Sequence, residues 1–410
     1  MRRCLTAGTP VMDPRNRSLF NAQFTPRIYE EYRRDLSDRL GCSFEFRLAE
    51  TPLFLPDDFL RRTVRAAEEI MAQLSDPQRI ERMKRAIPAR WNTPEMDALP
   101  NLAQLDFAVV EQDGTLEPKL IELQGFPSLT AMQVVQRDAW NAALERLDAL
   151  AGPWSCWFSG LDRESFLDLA RRTIAGGCDP RQVVLMDLDP PGQKTWPDFA
   201  ATKLLLGIES VDPRDLVRRG NRLYYKTVQI KRIYNRVVFD ELIRKQIALP
   251  FDYTEALDLR WVPHPNWYWT WSKYSLPFLD HPAVPKTVFA SDFRGADLRR
   301  SVLKPLFSFA GGGVNVDPTP ADIERIPEAE RHEWCIQEKI EYVPALAAPD
   351  GGVKVEIRMM FLRPDDEPRP ILAQNLVRLS RGKMLGVDFN KQFTWVGSTV
   401  ALHRPGAGIA

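Results

Sequence analysis

The stretch Ser301-Val-Leu-Lys304-Pro-Leu-Phe-Ser308-Phe-Ala-Gly311-Gly312-Gly313-Val-Asn-Val-Asp317 decides how this chain is read. Three consecutive glycines carry no Cβ, so their N–H groups can turn inward and let a phosphate chain come close. Lys304 precedes them on the apolar run that enters the loop. A lysine on a strand beside a glycine flap offers a point charge for a phosphate, with amide donors above it. A Gly-Gly-Gly turn is equally the tip of a surface hairpin, and the rest of the chain has to decide between the two.

Far upstream, Leu105 to Val110 reads as a strand, Gln112-Asp113-Gly114 as a turn and Pro118 to Gln124 as the return strand. Glu122 and Gln124 are two apart and leave one face of the return strand, where Asp106 can join them from its neighbour. Two carboxylates and an amide oxygen suit Mg²⁺, which takes a few protein oxygens and completes its shell with water and phosphate. An ordinary exposed hairpin face explains the same residues. Downstream of the flap, Trp334 to Glu341 reads as a strand, as do Val353 to Leu362 and Ile371 to Leu379. In the first of the last two, Glu356-Ile357-Arg358 places both charges on one face.

Between hairpin and flap, residues 132 to 250 alternate helix and strand, with the buried-type strand Gln182 to Asp187 among them, which argues a small α/β sheet. No Gly-x-Gly-x-x-Gly signature accompanies it, so it holds an acceptor substrate or scaffolds the other lobe. Lys231 to Arg236 closes the unit as a basic run of the kind usually found on a solvated face. Before the hairpin, residues 1 to 52 are mixed, with turn signals at Asp13-Pro14 and Pro26 and a candidate strand at Ser43 to Leu48. Leu60, Val64, Ala67, Met71 and Leu74 then recur at helical spacing. The tail after Gly397 reads as loose.

Lys plus Arg and Asp plus Glu both number 55, so no global field recruits nucleic acid or an acidic membrane surface. No run approaches a membrane span, and the five cysteines show no Cys-x-x-Cys spacing, so neither a disulfide framework nor a zinc site is indicated. A cytoplasmic protein is the expectation, with oligomeric state open.

The order of these pieces resembles the ATP-grasp ligases in a permuted form, similar to the synthetase domain of glutathionylspermidine synthetase. Lys273, Lys304 with its flap, and the Gln337-Glu338-Lys339-Ile340 strand match the nucleotide half, and Glu122-Leu123-Gln124 precedes them. The resemblance implies an α/β (α+β) fold of permuted ATP-grasp type in four parts: an N-terminal mixed and helical segment (1–95), a metal-site hairpin (96–131), an α/β pre-ATP-grasp lobe (132–250) and nucleotide-binding lobes (251–410). It implies ATP and Mg²⁺ as cofactors, held by named residues. Lys273 and Lys304 would bind the α- and β-phosphates, and Ser308, Gly311, Gly312 and Gly313 would cover the γ-phosphate. Backbone groups around Gln337 to Ile340, with Glu338 or Glu341, would hold adenine and ribose. Asp106, Glu122 and Gln124 would bind the metal, and Arg378 or Arg358 would stabilise the transferring phosphoryl group.

The implied partners are ATP, a small carboxylate and an amine or peptide-like acceptor, joined through an acylphosphate. Two positions depart from the family pattern, which has asparagine at Gln124 and arginine at Gln104. A degenerate member that binds a nucleotide or peptide as a regulatory module is therefore the alternative, and a phosphotransferase that stops at a phosphorylated product is a third.

Overall fold

The computed structural model describes residues 10–126, 128–295, 297–307, 313–382, 390 and 392–406. It opens on two helices, Pro14–Gln23 and Pro26–Leu40. Each starts with proline, whose missing N–H costs nothing in a helix's first turn, and the Asp13 carboxylate accepts from the Asn16 amide as a cap. The two apparent turn signals are thus helix starts. The strand expected at Ser43 to Leu48 is absent, and only a single bridge from Leu48 to Ser398 forms there. Helix Asp57–Leu74 follows and buries the five residues whose spacing announced it.

The organising element is a six-stranded mainly antiparallel sheet. Its order runs Gly397–Thr399, Ile371–Ser380, Gly351–Leu362, Leu102–Gln112, Thr115–Gln124, with Leu346–Ala348 paired to Gly351–Leu362 off that path. Asp113 and Gly114 close the hairpin with φ of 52° and 77°, the left-handed pair that suits strand twist. The tail past Gly397 is not loose: Gly397–Thr399 is the sheet's edge, and Ala401–Leu402 pairs in parallel with Leu53–Phe54.

Register divides the two faces of this sheet. Leu105, Phe107, Val109, Ile357 and Met359 fall on one face and join the main core with the N-terminal helices. Asp106 sits opposite both Glu122 and Arg358, and Glu356 opposite Arg378, so these side chains share the other face. A bulge between Asp106 and Phe107 leaves Ile121 without a partner in the hairpin.

A parallel sheet lies beside it in the order Arg260–Val262, Arg232–Asn235, Val183–Met186, Glu209–Val211, so the α/β unit reaches beyond residue 250. The basic run at 231–236 is no solvated face. Arg232–Asn235 is buried throughout; Arg232 donates to the Thr173 and Ile174 carbonyls, and Arg236 pairs with Asp198 at 2.9 Å. A third sheet, antiparallel, sets Trp334–Glu338 between Thr287–Phe289 and Ser301–Pro305. No described helix is long and apolar enough to cross a membrane.

Candidate active site

The site is the polar face of the central sheet where the three-stranded sheet and the aromatic segment Trp267–Phe278 close over it. Gly125 fixes that closure. Its amide donates to the Trp271 carbonyl at 2.7 Å, and a Cβ at this position would stand 2.5 Å from the Trp267 carbonyl oxygen. The contact delivers Lys273, at the start of a short 3-10 turn, to Glu122, with Nζ 3.1 Å from the carboxylate. Lys304 arrives from the facing sheet. It donates to the Gln337 side chain and, at 3.5 Å, toward the Ile121 carbonyl that the bulge turns out of the ladder.

Asp106 is the centre of charge. Arg358 grips both its oxygens, at 2.6 and 2.7 Å, and Arg378 donates to one of them. Burial alone pushes a carboxyl up, but the two guanidiniums outweigh it and hold Asp106 below the ordinary carboxylate range. Glu356 is the opposite case: burial raises it despite its pairing with Arg378, and the Tyr342 hydroxyl donates to it at 3.0 Å. Burial likewise pulls Lys304 below an ordinary lysine. Asp106, Glu122 and Glu356 thus face Lys273, Lys304, Arg358 and Arg378. The surplus is positive, which favours an incoming anion.

Of the residues singled out in the sequence, Lys273, Lys304, Gln337, Asp106, Glu122, Arg358 and Arg378 come together here, and Gln124 lines the same small cleft as Glu122 and Lys273. Glu338 and Glu341 are exposed, and Ile340 and Glu341 lie beyond the strand's end at Glu338. Gly313 takes a left-handed φ of 72°, and the chain leaving at Pro305 returns at Asn315, which exchanges two 2.9 Å hydrogen bonds with Leu303. Ser308, Gly311 and Gly312 lie outside the described residues.

Three members were not assigned from sequence. Tyr342 lies beyond the run that reads as a strand, Glu356 shares a face with Arg358 in sequence but pairs with Arg378 across the sheet, and Ser128 carries no signal. The Ser128 hydroxyl accepts from Arg358, and its carbonyl accepts from the Gln104 amide at 3.0 Å. Gln104 therefore positions the loop that follows the hairpin.

For a cation, the donors divide. Glu122 and Gln124 are partly exposed and fit a hard ion whose remaining positions go to phosphate and water. Both Asp106 oxygens are committed to arginine, so Asp106 reaches such an ion only where Arg378 gives way. Among the described residues no cluster of three His, Cys, Asp or Glu is placed to hold a metal alone.

No protein family and no curated protein matches the chain. Among solved structures it is similar to a glutathione synthetase-like effector of Globodera pallida in its apo form, at 13% identity, covering 93% of this chain and 98% of that one with a TM-score of 0.56. The similarity shows a shared overall fold.

Proposed function

We propose that the protein is a permuted ATP-grasp ligase that joins a carboxylate to an amine, or to a thiol, through an acylphosphate. The observation that carries this reading is the meeting of two lysines from different elements, Lys273 and Lys304, over a sheet face bearing Asp106, Glu122, Arg358 and Arg378. The fold shared with the glutathione synthetase-like effector supports it. A substrate carboxylate oxygen attacks the γ-phosphorus of ATP, the bond to the β-phosphate oxygen breaks and ADP leaves. The amine nitrogen then attacks the acyl carbon, losing a proton as the C–N bond forms and phosphate departs with the C–O electron pair. Mg²⁺, when bound, neutralises charge on the phosphates.

The chain's residues supply position and charge rather than a nucleophile. Lys273 and Lys304 hold phosphate oxygens, Arg378 faces the transferring group, and Arg358 and Asp106 keep Arg378 in place. The test is release of phosphate from ATP and Mg²⁺ in the presence of pooled amino acids and polyamines. Release that depends on the acceptor is the expected result, and nucleotide binding with no turnover in any pool sinks the ligase.

That second outcome is what a regulatory binding module predicts. The arginines closed on Asp106 and the Gln104 amide tied to Ser128 favour such a module, because both occupy groups that chemistry would use.

A further inference from the structure

Beside the lysine cleft lies a larger one, of about 520 Å³, that none of the roles above uses. Its apolar and aromatic lining includes Trp269, Tyr274, Phe289, Phe307 and Ile243. Ile243 is among the few large apolar side chains left exposed, at 41%. The rim carries both signs of charge. Arg85 and Arg90 are exposed and make no ion pair among the described residues, while Asp240 and Glu333 bring carboxylates.

Two contacts join this space to the lysine cleft. Phe307, where the chain enters the glycine segment, lines both. Asp240 accepts from the Tyr268 hydroxyl, and Tyr268 is a wall of the lysine cleft.

From this arrangement we infer that the cleft seats the amine-bearing substrate, and that this substrate is a zwitterionic amino acid or short peptide with an aromatic side chain. The identification as acceptor rests on the ligase reading; the chemistry of the ligand rests on the cleft. Aromatic walls stack on an aromatic side chain, Arg85 and Arg90 receive its carboxylate, and Asp240 draws its ammonium toward the lysines. The volume lies within the roughly 300–1,000 Å³ of small-molecule sites and admits a dipeptide.

The experiment is calorimetric titration of the full chain with phenylalanyl-glycine, its N-acetyl and C-amide forms, and glycyl-glycine. Phenylalanyl-glycine is expected to bind, the two blocked forms about fivefold to tenfold more weakly and glycyl-glycine weaker by about tenfold or more. Ile243→Trp fills the cleft from an exposed position and should remove binding while circular dichroism stays native. The double variant Arg85→Gln, Arg90→Gln should weaken the free acid but not its amide. Equal affinity for all four probes, or binding undiminished by Ile243→Trp, overturns the inference.

Nucleotide titration separates the two proposals. ATP binding without binding of phenylalanyl-glycine overturns the inference alone. Binding of phenylalanyl-glycine that Ile243→Trp removes, in a chain that takes no ATP, upholds the cleft's ligand and overturns the ligase.

Discussion

Asp106 is 1% exposed and balances two guanidiniums, so it is a structural charge as much as a site residue. Asp106→Asn removes the charge and leaves Arg358, itself 5% exposed, with no full counter-ion. Breaking a buried pair in this way costs about 3 kcal/mol or more, and the urea midpoint should fall accordingly. Lys304→Ala is the contrast. Its ammonium already bears a burial penalty that depresses its pKa, so its removal should leave the midpoint within about 1 kcal/mol of wild type while nucleotide affinity collapses, as titration with an ATP analogue checks.

His264 carries the acid response. Burial lowers it to about 4, and its ring bonds the Pro94 carbonyl at 2.8 Å. The folded chain holds the neutral ring, so this contribution is complete above the unfolded value near 6.5 and is lost as pH falls toward 4, by up to about 3 kcal/mol. Asp187, pushed up to about 7 by burial, works in the reverse direction. The difference between wild type and His264→Gln isolates the histidine: the gap should shrink steadily from pH 7 to pH 4.

At the scale of elements, the closure at Gly125 is the most exacting fit. Gly125→Ala drives a methyl into the Trp267 carbonyl, which should cost about 1–3 kcal/mol and shift Lys273 from Glu122. A lowered melting temperature together with weaker nucleotide binding is expected; an unchanged affinity would place Lys273 outside the site. Much of this level was legible in the sequence. Helix Asp57–Leu74 and the hairpin declared themselves by period and turn chemistry, and the hairpin's alternation put Glu122 and Gln124 on one face, where both line a cleft with Lys273. What stayed hidden depended on partners distant in the chain. The strand Arg232–Asn235 looks solvated because it sits in a basic run, and the Thr173, Ile174 and Asp365 oxygens make the burial of Arg232 tolerable. Tyr342 and Ser128 carry no periodic signal, and their roles come from Glu356 and Arg358, which no local pattern links to them.

Over the whole molecule, the last described residues are structural. Val400 and Leu402 are fully buried, and the His403 ring bonds the Trp157 carbonyl at 2.9 Å. Burying two such side chains contributes roughly 3–6 kcal/mol, a large part of the 5–15 kcal/mol typical of a domain. Deleting residues 397–406 should therefore yield a chain without a cooperative thermal transition in calorimetry.

The same sheet also carries a message about time. Asp106 and Arg358 are hydrogen-bonded neighbours although 252 positions separate them, and Arg378 joins them from farther still. Contacts of such long sequence separation form slowly, since a large loop must close before they repay it. A chain emerging from the ribosome has its hairpin and its parallel sheet well before it has the arginines that complete the charged face. The hairpin must wait with Asp106, Glu122 and Gln124 uncovered until Arg358 and Arg378 have been made, and the positive surplus of this face forms only then. On the ligase reading, nucleotide affinity is therefore a late marker of folding, and it should appear in refolding experiments after the helical signal has already recovered.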